Sequence, residues 1–325
     1  MYIDILEVLN LKLPELRIGE LRPKIPIIQG GMAVKVSTAK LAAAVANEGG
    51  IGIIAATGMT PQELIEEIKK ARLLSSGIIG INIMYAVTAF SELFKTALKE
   101  GIDLVISGAG FSRDMFSWGR EANTPVVPIV STVKLAKISE KLGAAAVVVE
   151  GKEAGGHLGT SYAVEEIFPE VKKNVSIPVI VAGGIIDGQD VARKFKLGAD
   201  GVQMGTRFAA SFESNVADNV KEFYVKAKAK DIMLINSPVG LLGRAIKNKF
   251  AEKIVAGTVK PPSECNMCLK NCKANFCIME ALNNAQQGNL EEGLIFSGEF
   301  IEKIKSIMSV REIISTLLLE VEASV

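Results

Sequence analysis

The residue best suited to moving a proton in this 325-residue chain is its single histidine, His157. It stands in Glu150-Gly151-Lys152-Glu153-Ala154-Gly155-Gly156-His157-Leu158-Gly159, closely flanked by glycines. A lone histidine is more often a packing residue than a reactive one. Here its neighbours give the imidazole little steric cover, and an unperturbed pKa of about 6.5 suits giving or taking one proton at neutral pH. The cysteines are the other group able to do chemistry: Cys265, Cys268, Cys272 and Cys277 fall as C-x2-C-x3-C-x4-C, with none elsewhere. Disulfides are disfavoured in a reducing cytosol. Four thiolates so spaced suit zinc or an iron–sulfur cluster, both of which accept four-cysteine ligation. With one imidazole in the chain, a His-based zinc protease site is excluded.

Short apolar runs supply the frame for these groups. Eight of them, at 26–30 (PIIQG), 51–55 (IGIIA), 78–84 (IIGINIM), 104–108 (LVISG), 126–130 (VVPIV), 145–150 (AAVVVE), 178–183 (PVIVAG) and 201–205 (GVQMG), are apolar on consecutive positions. They are too short for helices and read as strands buried on both faces. Amphipathic stretches such as 61–73 and 133–142 separate them; Thr60 is the expected N-cap of the first, with Pro61 at its first turn. Leu-Gly-Ala at 142–144 and 197–199 places a glycine where each helix should stop in a left-handed turn. Eight β–α units predict an α/β fold, a (β/α)8 TIM barrel, over a doubly wound sheet; no G-x-G-x-x-G follows the first run.

After Ser211 the pattern changes. The expectation is one long helix over 212–235, a loop over 236–243, a basic helix over 244–257, a helix over 278–287, a turn near 288–293 and a last helix over 309–320. The barrel is thus assigned to 1–211 plus 296–325, with a small helical subdomain inserted over 212–295. The basic segment 244–253 reads mainly as a solvated helix face, with docking of an acidic carrier or phosphate-bearing thioester as the other reading.

In such barrels reactive groups come from the carboxyl ends of the strands. Glycines crowd those ends: Gly30-Gly31, Gly108 and Gly110, Gly155-Gly156, Gly183-Gly184 and Gly205. One such glycine means little beyond a tight turn, but five strand ends of eight favour a phosphate-bearing planar cofactor across the barrel mouth. The composition agrees with a folded enzyme: 49% apolar, 22% charged and a net charge of +1, with no basic excess for nucleic acid. Apolar stretches at 41–56 and 77–90 are interrupted and too short to span a membrane, and 1–4 lacks the start of a signal peptide. A cytoplasmic protein is the expectation.

The segments PIIQGGM (26–32), LAAAVANEGGIGIIA (41–55), EAGGHLG (153–159), VIVAGGI (179–185) and GADGVQMGTRF (198–208) resemble the nitronate monooxygenase (2-nitropropane dioxygenase) family, which also contains FMN-dependent enoyl-acyl-carrier-protein reductases. The resemblance covers nearly the whole chain. It implies a barrel holding one non-covalent FMN. Gly30, Gly31 and Met32 would line the flavin and Asn82 would hydrogen-bond its ring. Gly155, Gly156, Ala182, Gly183, Gly184, Gly205 and Thr206 would hold ring, ribityl chain and phosphate. His157 falls on the family's catalytic histidine. Some nitronate monooxygenases carry a lysine at the end of the fifth strand; here that strand reads Val126-Val127-Pro128-Ile129-Val130.

The cysteine run also resembles, at its start, the cluster motif of 2,4-dienoyl-CoA reductase-type flavoenzymes, whose last cysteine lies farther on. That favours a [4Fe–4S] cluster over zinc and would let an electron-carrier protein feed the flavin. The leading expectation is an FMN-dependent oxidoreductase oxidising alkyl nitronates, with His157 contacting the nitro oxygens or removing an α-proton. The alternatives are an enoyl-thioester reductase, in which the same histidine would stabilise the enolate or deliver a proton, and a flavin- or metal-binding module without turnover. An aldolase-like barrel is weaker, for lack of a well-placed Schiff-base lysine.

Overall fold

The computed structural model describes residues 11–324. Eight parallel strands form the barrel: β1 (Ile27–Gln29), β2 (Gly52–Ala55), β3 (Ile79–Met84), β4 (Leu104–Gly108), β5 (Val126–Val130), β6 (Val147–Glu150), β8 (Val179–Ala182) and β9 (Gly201–Met204). Each lies within an expected apolar run. Their order is β1-β9-β8-β6-β5-β4-β3-β2, and the ring closes where Gln29 N–H donates to Ile51 C=O and Ile51 N–H to Ile27 C=O, both at 3.0 Å. Consecutive apolar residues serve two surfaces. Ile28, Ile53, Leu104, Ile106, Val127, Val148 and Ile180 fill the interior, while Ile27, Ile54, Val105, Val147 and Val181 meet the surrounding helices. Leu16 and Ile18, both fully buried, join the inner cluster; Leu16 lies beside Gly201 at the start of β9, so this segment plugs the amino end of the barrel.

The local signals that set the helices act as read. Thr60 accepts the Glu63 N–H while the Glu63 carboxylate accepts the Thr60 N–H, a capping box that starts helix Pro61–Leu74. Gly143 and Gly198, with φ of +96° and +95°, end their helices in the left-handed region. The last helix, Val310–Glu322, packs Ile313, Ile314, Leu317 and Leu318 back onto the barrel's outer layer. No helix among the described residues is long and apolar enough to cross a membrane.

The long helix expected over 212–235 does not form. A helix runs over Asp218–Lys226, Ala227 turns extended, and β10 (Ile232–Asn236) follows. It pairs antiparallel with β11 (Leu242–Ile246), which takes up part of the expected loop and the first residues of the expected basic helix. Residues 237–241 join the two strands, with Gly240 at φ +87° closing the hairpin turn, and the pairing of β10 with β11 takes the place of helix. The basic helix is left with Lys249–Val255, capped by Asn248. β11 also pairs with β7 (Gly156–Leu158), so the histidine sits on its own short strand rather than in a free loop beyond β6.

Candidate active site

The carboxyl ends of the barrel strands open into a cavity of about 260 Å³, roofed by the residues inserted after β9. All the glycines and polar residues that the sequence singles out for a flavin converge there: Gly30, Gly31, Met32, Asn82, Gly155, Gly156, Ala182, Gly183, Gly184, Gly205 and Thr206, together with His157. The roof is apolar. Val216, Val220 and Tyr224 come from helix Asp218–Lys226 and the turn before it, and Ile278, Met279 and Leu282 from helix Ile278–Gln286. No Lys or Arg lines the cavity among the described residues.

The lining fits a flavin on two observations. Gln203, on β9 and 7% exposed, carries a buried Oε1 with no hydrogen-bond partner, an acceptor waiting for a donor such as the flavin imide N–H. Gly31 lies against Asn82 so closely that a Cβ on it would stand 2.2 Å from the Asn82 Cβ, so bare peptide is what the floor allows. Gly183 and Gly184, with φ of +101° and +69°, expose backbone after β8, and the Thr206 hydroxyl already accepts the Gly298 N–H at 2.9 Å, keeping its own hydrogen for an acceptor. With no cation in the cavity, a phosphate there would rest on N–H groups and this hydroxyl.

His157 is held from three sides. Its Nε2 lies 2.7 Å from Ser237 Oγ, in the hairpin turn eighty residues away. The Val239 N–H also donates to that oxygen, and with the hydroxyl hydrogen directed to Nε2 the ring proton sits on Nδ1. Phe296 meets the imidazole edge-on at 5.1 Å between centroids. Arg244, opposite Gly156 in the β11–β7 ladder, donates from Nε to Ala154 C=O at 3.2 Å and from Nη2 to Lys152 C=O at 2.6 Å. The basic segment therefore spends its first residue as a buried brace for the histidine loop and not on a docking surface; Lys247 and Lys249 pair with Glu252 and Glu291. Ser237, Gln203 and the Arg244 brace are what sequence reasoning missed. Gln203 stood inside the segment GADGVQMGTRF, whereas Ser237 gives no local signal.

Burial changes the titration expected of the histidine. It pushes His157 down to about 4, so the ring is neutral at pH 7 and offers a hydrogen bond, not an exchangeable charge. Burial pushes the Glu150 carboxyl, on the same cavity wall, up to about 7. The two shifts oppose each other in stability. The unfolded chain binds a proton on the histidine below its ordinary 6.5, while the folded chain retains one on the glutamate above its ordinary 4.5. Between those two values the proton counts balance, and these groups leave stability nearly flat. With Glu150→Gln only the histidine remains, and stability should be full above pH 6.5 and fall by about 3 kcal/mol as pH drops toward 4. Urea midpoints read across that range check the sign.

The metal site expected of the cysteines is not assembled. All four thiols are free, in a segment without helix or strand, and no group of three or more His, Cys, Asp or Glu side chains among the described residues is arranged to hold a metal ion. The segment is tied down through its backbone, with its thiols left unligated. Cys265 and Cys272 each accept the N–H two residues on, from Met267 and Ala274, at 3.4 Å. The intervening backbone docks on the segment after β3, with the Thr88 N–H donating to Cys268 C=O at 3.0 Å and Lys270 to Tyr85 C=O at 2.7 Å. Neither the [4Fe–4S] cluster nor zinc is supported by this arrangement.

Comparison with known proteins bears on the chemistry. A family model described as nitronate monooxygenase matches residues 16–102 and 80–320. A probable nitronate monooxygenase of Staphylococcus aureus is 32% identical over 274 residues, covering 70% of this chain and 77% of that protein. The (3aS,4S,5R,7aS)-5-hydroxy-7a-methyl-1-oxo-octahydro-1H-indene-4-carboxyl-CoA dehydrogenase of Mycobacterium tuberculosis is 33% identical over 236 residues, covering 72% of this chain and 66% of that protein. Among solved structures, FabK from Thermotoga maritima superposes with a TM-score of 0.85 at 34% identity, over 100% of this chain and 97% of that one.

Proposed function

This chain belongs to the nitronate monooxygenase family, an FMN-dependent oxidoreductase by that membership, and from it we propose that the reaction is reduction of an enoyl thioester. The observation that carries the choice is the cavity itself, apolar along its roof and without a Lys or Arg on its wall. An alkyl nitronate is an anion, and an anion entering a site with a half-buried neutral imidazole and a carboxyl meets no opposite charge among the described residues. A neutral enoyl group with an apolar chain suits the same lining. The sequence reading puts nitronate oxidation first; the cavity's chemistry argues for the reverse order. Relatives named for a nitronate and for a carboxyl-CoA keep both readings in play.

The residues that would hold FMN are those of the floor: Gly30, Gly31, Met32, Asn82 and Gln203 against the ring, and Gly183, Gly184, Gly205 and Thr206 toward the phosphate. When bound, the flavin supplies the hydride that reduces the double bond. The chain supplies the rest. His157, neutral and with its Nδ1–H free of protein partners among the described residues, donates to the thioester carbonyl oxygen, where negative charge develops. The apolar roof excludes water from that oxygen and strengthens the bond. The loop brace of Arg244 keeps the donor in place.

An anaerobic titration separates the readings. A reduced nicotinamide should bleach the flavin, and a short enoyl-CoA should restore its colour within a turnover. A nitronate that bleaches the oxidised flavin, with no response to nicotinamide, would overturn the thioester reading in favour of nitronate oxidation.

A further inference from the structure

Glu150 ends β6, directly opposite Ala182 of β8 in the parallel ladder, and lines the cavity beside the glycines that follow β8. Its carboxyl has no hydrogen-bond or ion-pair partner among the described residues. The other titratable groups of the cavity are all engaged. Glu153 accepts the Val164 N–H at 3.1 Å, Tyr224 donates to Phe296 C=O at 2.8 Å, and His157 is tied to Ser237. The strand ends on either side bring no charge: β5 continues into Ser131 and Thr132, and β8 into Gly183 and Gly184. Lys152, two residues on, is exposed. Burial alone sets the titration of Glu150, with its midpoint pushed up to about 7.

The enoyl reaction needs an acid that the histidine cannot be. Reduction adds a hydride at the β-carbon and a proton at the α-carbon. An imidazole held neutral at pH 7 has no readily lost proton, whereas an unpaired carboxyl in an apolar wall keeps one. We propose that Glu150 is a catalytic acid of this cavity, its protonated carboxyl delivering the proton to the α-carbon of an enoyl thioester. The inference rests on the thioester reading above. In the step, the α-carbon–hydrogen bond forms as the Glu150 O–H bond breaks, and the electron pair of that bond stays on the carboxylate. The hydride comes ultimately from a reduced nicotinamide, which leaves oxidised; Glu150 regains its proton from water. Glu150 and His157 thus divide the work, one giving up a proton and the other only holding the carbonyl oxygen.

The test uses Glu150→Gln, which keeps the shape and a hydrogen-bond donor but has no acid, with Glu150→Asp as the conservative partner. Infrared difference spectra of the purified flavoprotein, titrated between about pH 6 and 8, should show the carbonyl stretch of a protonated carboxylic acid fading as pH rises, and E150Q should lack it. Anaerobic stopped flow should find flavin reduction by nicotinamide within about twofold of wild type in E150Q. Reoxidation by a short enoyl-CoA should be slower by about 10²- to 10⁴-fold, with E150D recovering part of the loss. Wild type should slow above about pH 7 in that half-reaction, and E150Q should not. Reoxidation of E150Q at the wild-type rate, or no titrating carboxyl band assignable to Glu150, would overturn the proposal. Should E150Q fail to hold flavin, the wild-type pH profile decides it: reoxidation by the enoyl-CoA that does not slow above about pH 7 would overturn the proposal. Wild type that no enoyl thioester reoxidises overturns the thioester reading and this step with it, a result recognisable without any variant.

Discussion

Replacing His157 with alanine is expected to slow reoxidation of the reduced flavin by an enoyl thioester by about 10²- to 10³-fold, the range measured when one preorganised donor to a developing oxyanion is removed. The loss should fall on the rate and not on binding, because a hydrogen bond that strengthens as charge develops contributes most in the transition state. It should also be insensitive to pH across the neutral range. The ring titrates near 4 in the folded protein, so wild type and variant hold the same charge there from about pH 5 upward. Ser237→Ala offers a graded version. Without the hydroxyl at 2.7 Å the ring loses its fixed tautomer, and a loss of about 3- to 10-fold matches the worth of one neutral hydrogen bond. Unchanged stopped-flow traces for His157→Ala would leave the site without its proposed donor and overturn the role given to the imidazole.

Gly31→Ala is expected to weaken flavin binding by about 10- to 100-fold. The added methyl would stand 2.2 Å from the Asn82 Cβ and 2.9 Å from its Cγ, closer than real Cβ atoms come, and 3.1 Å from Ile53 Cγ2. Asn82 is on β3 and Ile53 on β2, both fixed in the barrel ladder, so the 30–33 segment must move instead. Overpacking of this kind costs about 1–3 kcal/mol, which becomes that range in dissociation constant if the displaced peptide is the floor on which the ring rests. Fluorescence quenching of FMN by protein stripped of flavin measures it. Binding equal to wild type would mean that the ring lies elsewhere.

Much of the barrel is legible because its signals are local. The strand runs are apolar on every position, and a strand buried on both faces needs no alternation to be recognised. Thr60 with Glu63, and the glycines at 143 and 198, mark helix ends by chemistry contained within a few residues. The hairpin of β10 and β11 fails that test. Ile232-Met233-Leu234-Ile235 is as compatible with a helix as with a strand, and what decides is pairing with β11, itself anchored on residues 156–158 far away in sequence. The histidine's position could be read, but its partner could not, since Ser237 meets it only through the same pairing. Its charge state was equally hidden. A pKa near the ordinary value follows from residue type, and burial that lowers it follows from the fold. The cysteines show the opposite limit: spacing states what four thiols could bind, while the fold, among the described residues, arranges no group of three or more ligands for a metal.

The mounting of His157 has a consequence for the site. The strand that bears it, β7, is not a stave of the barrel; it is bonded to β11 of the inserted segment and tied there by Arg244. The glycine floor belongs to the rigid cylinder, the donor to the roof above it. The imidazole is therefore placed by contacts that the inserted segment makes, at Ser237 and along β11. The donor thus depends for its position on the inserted segment, and the glycines it faces depend on the barrel.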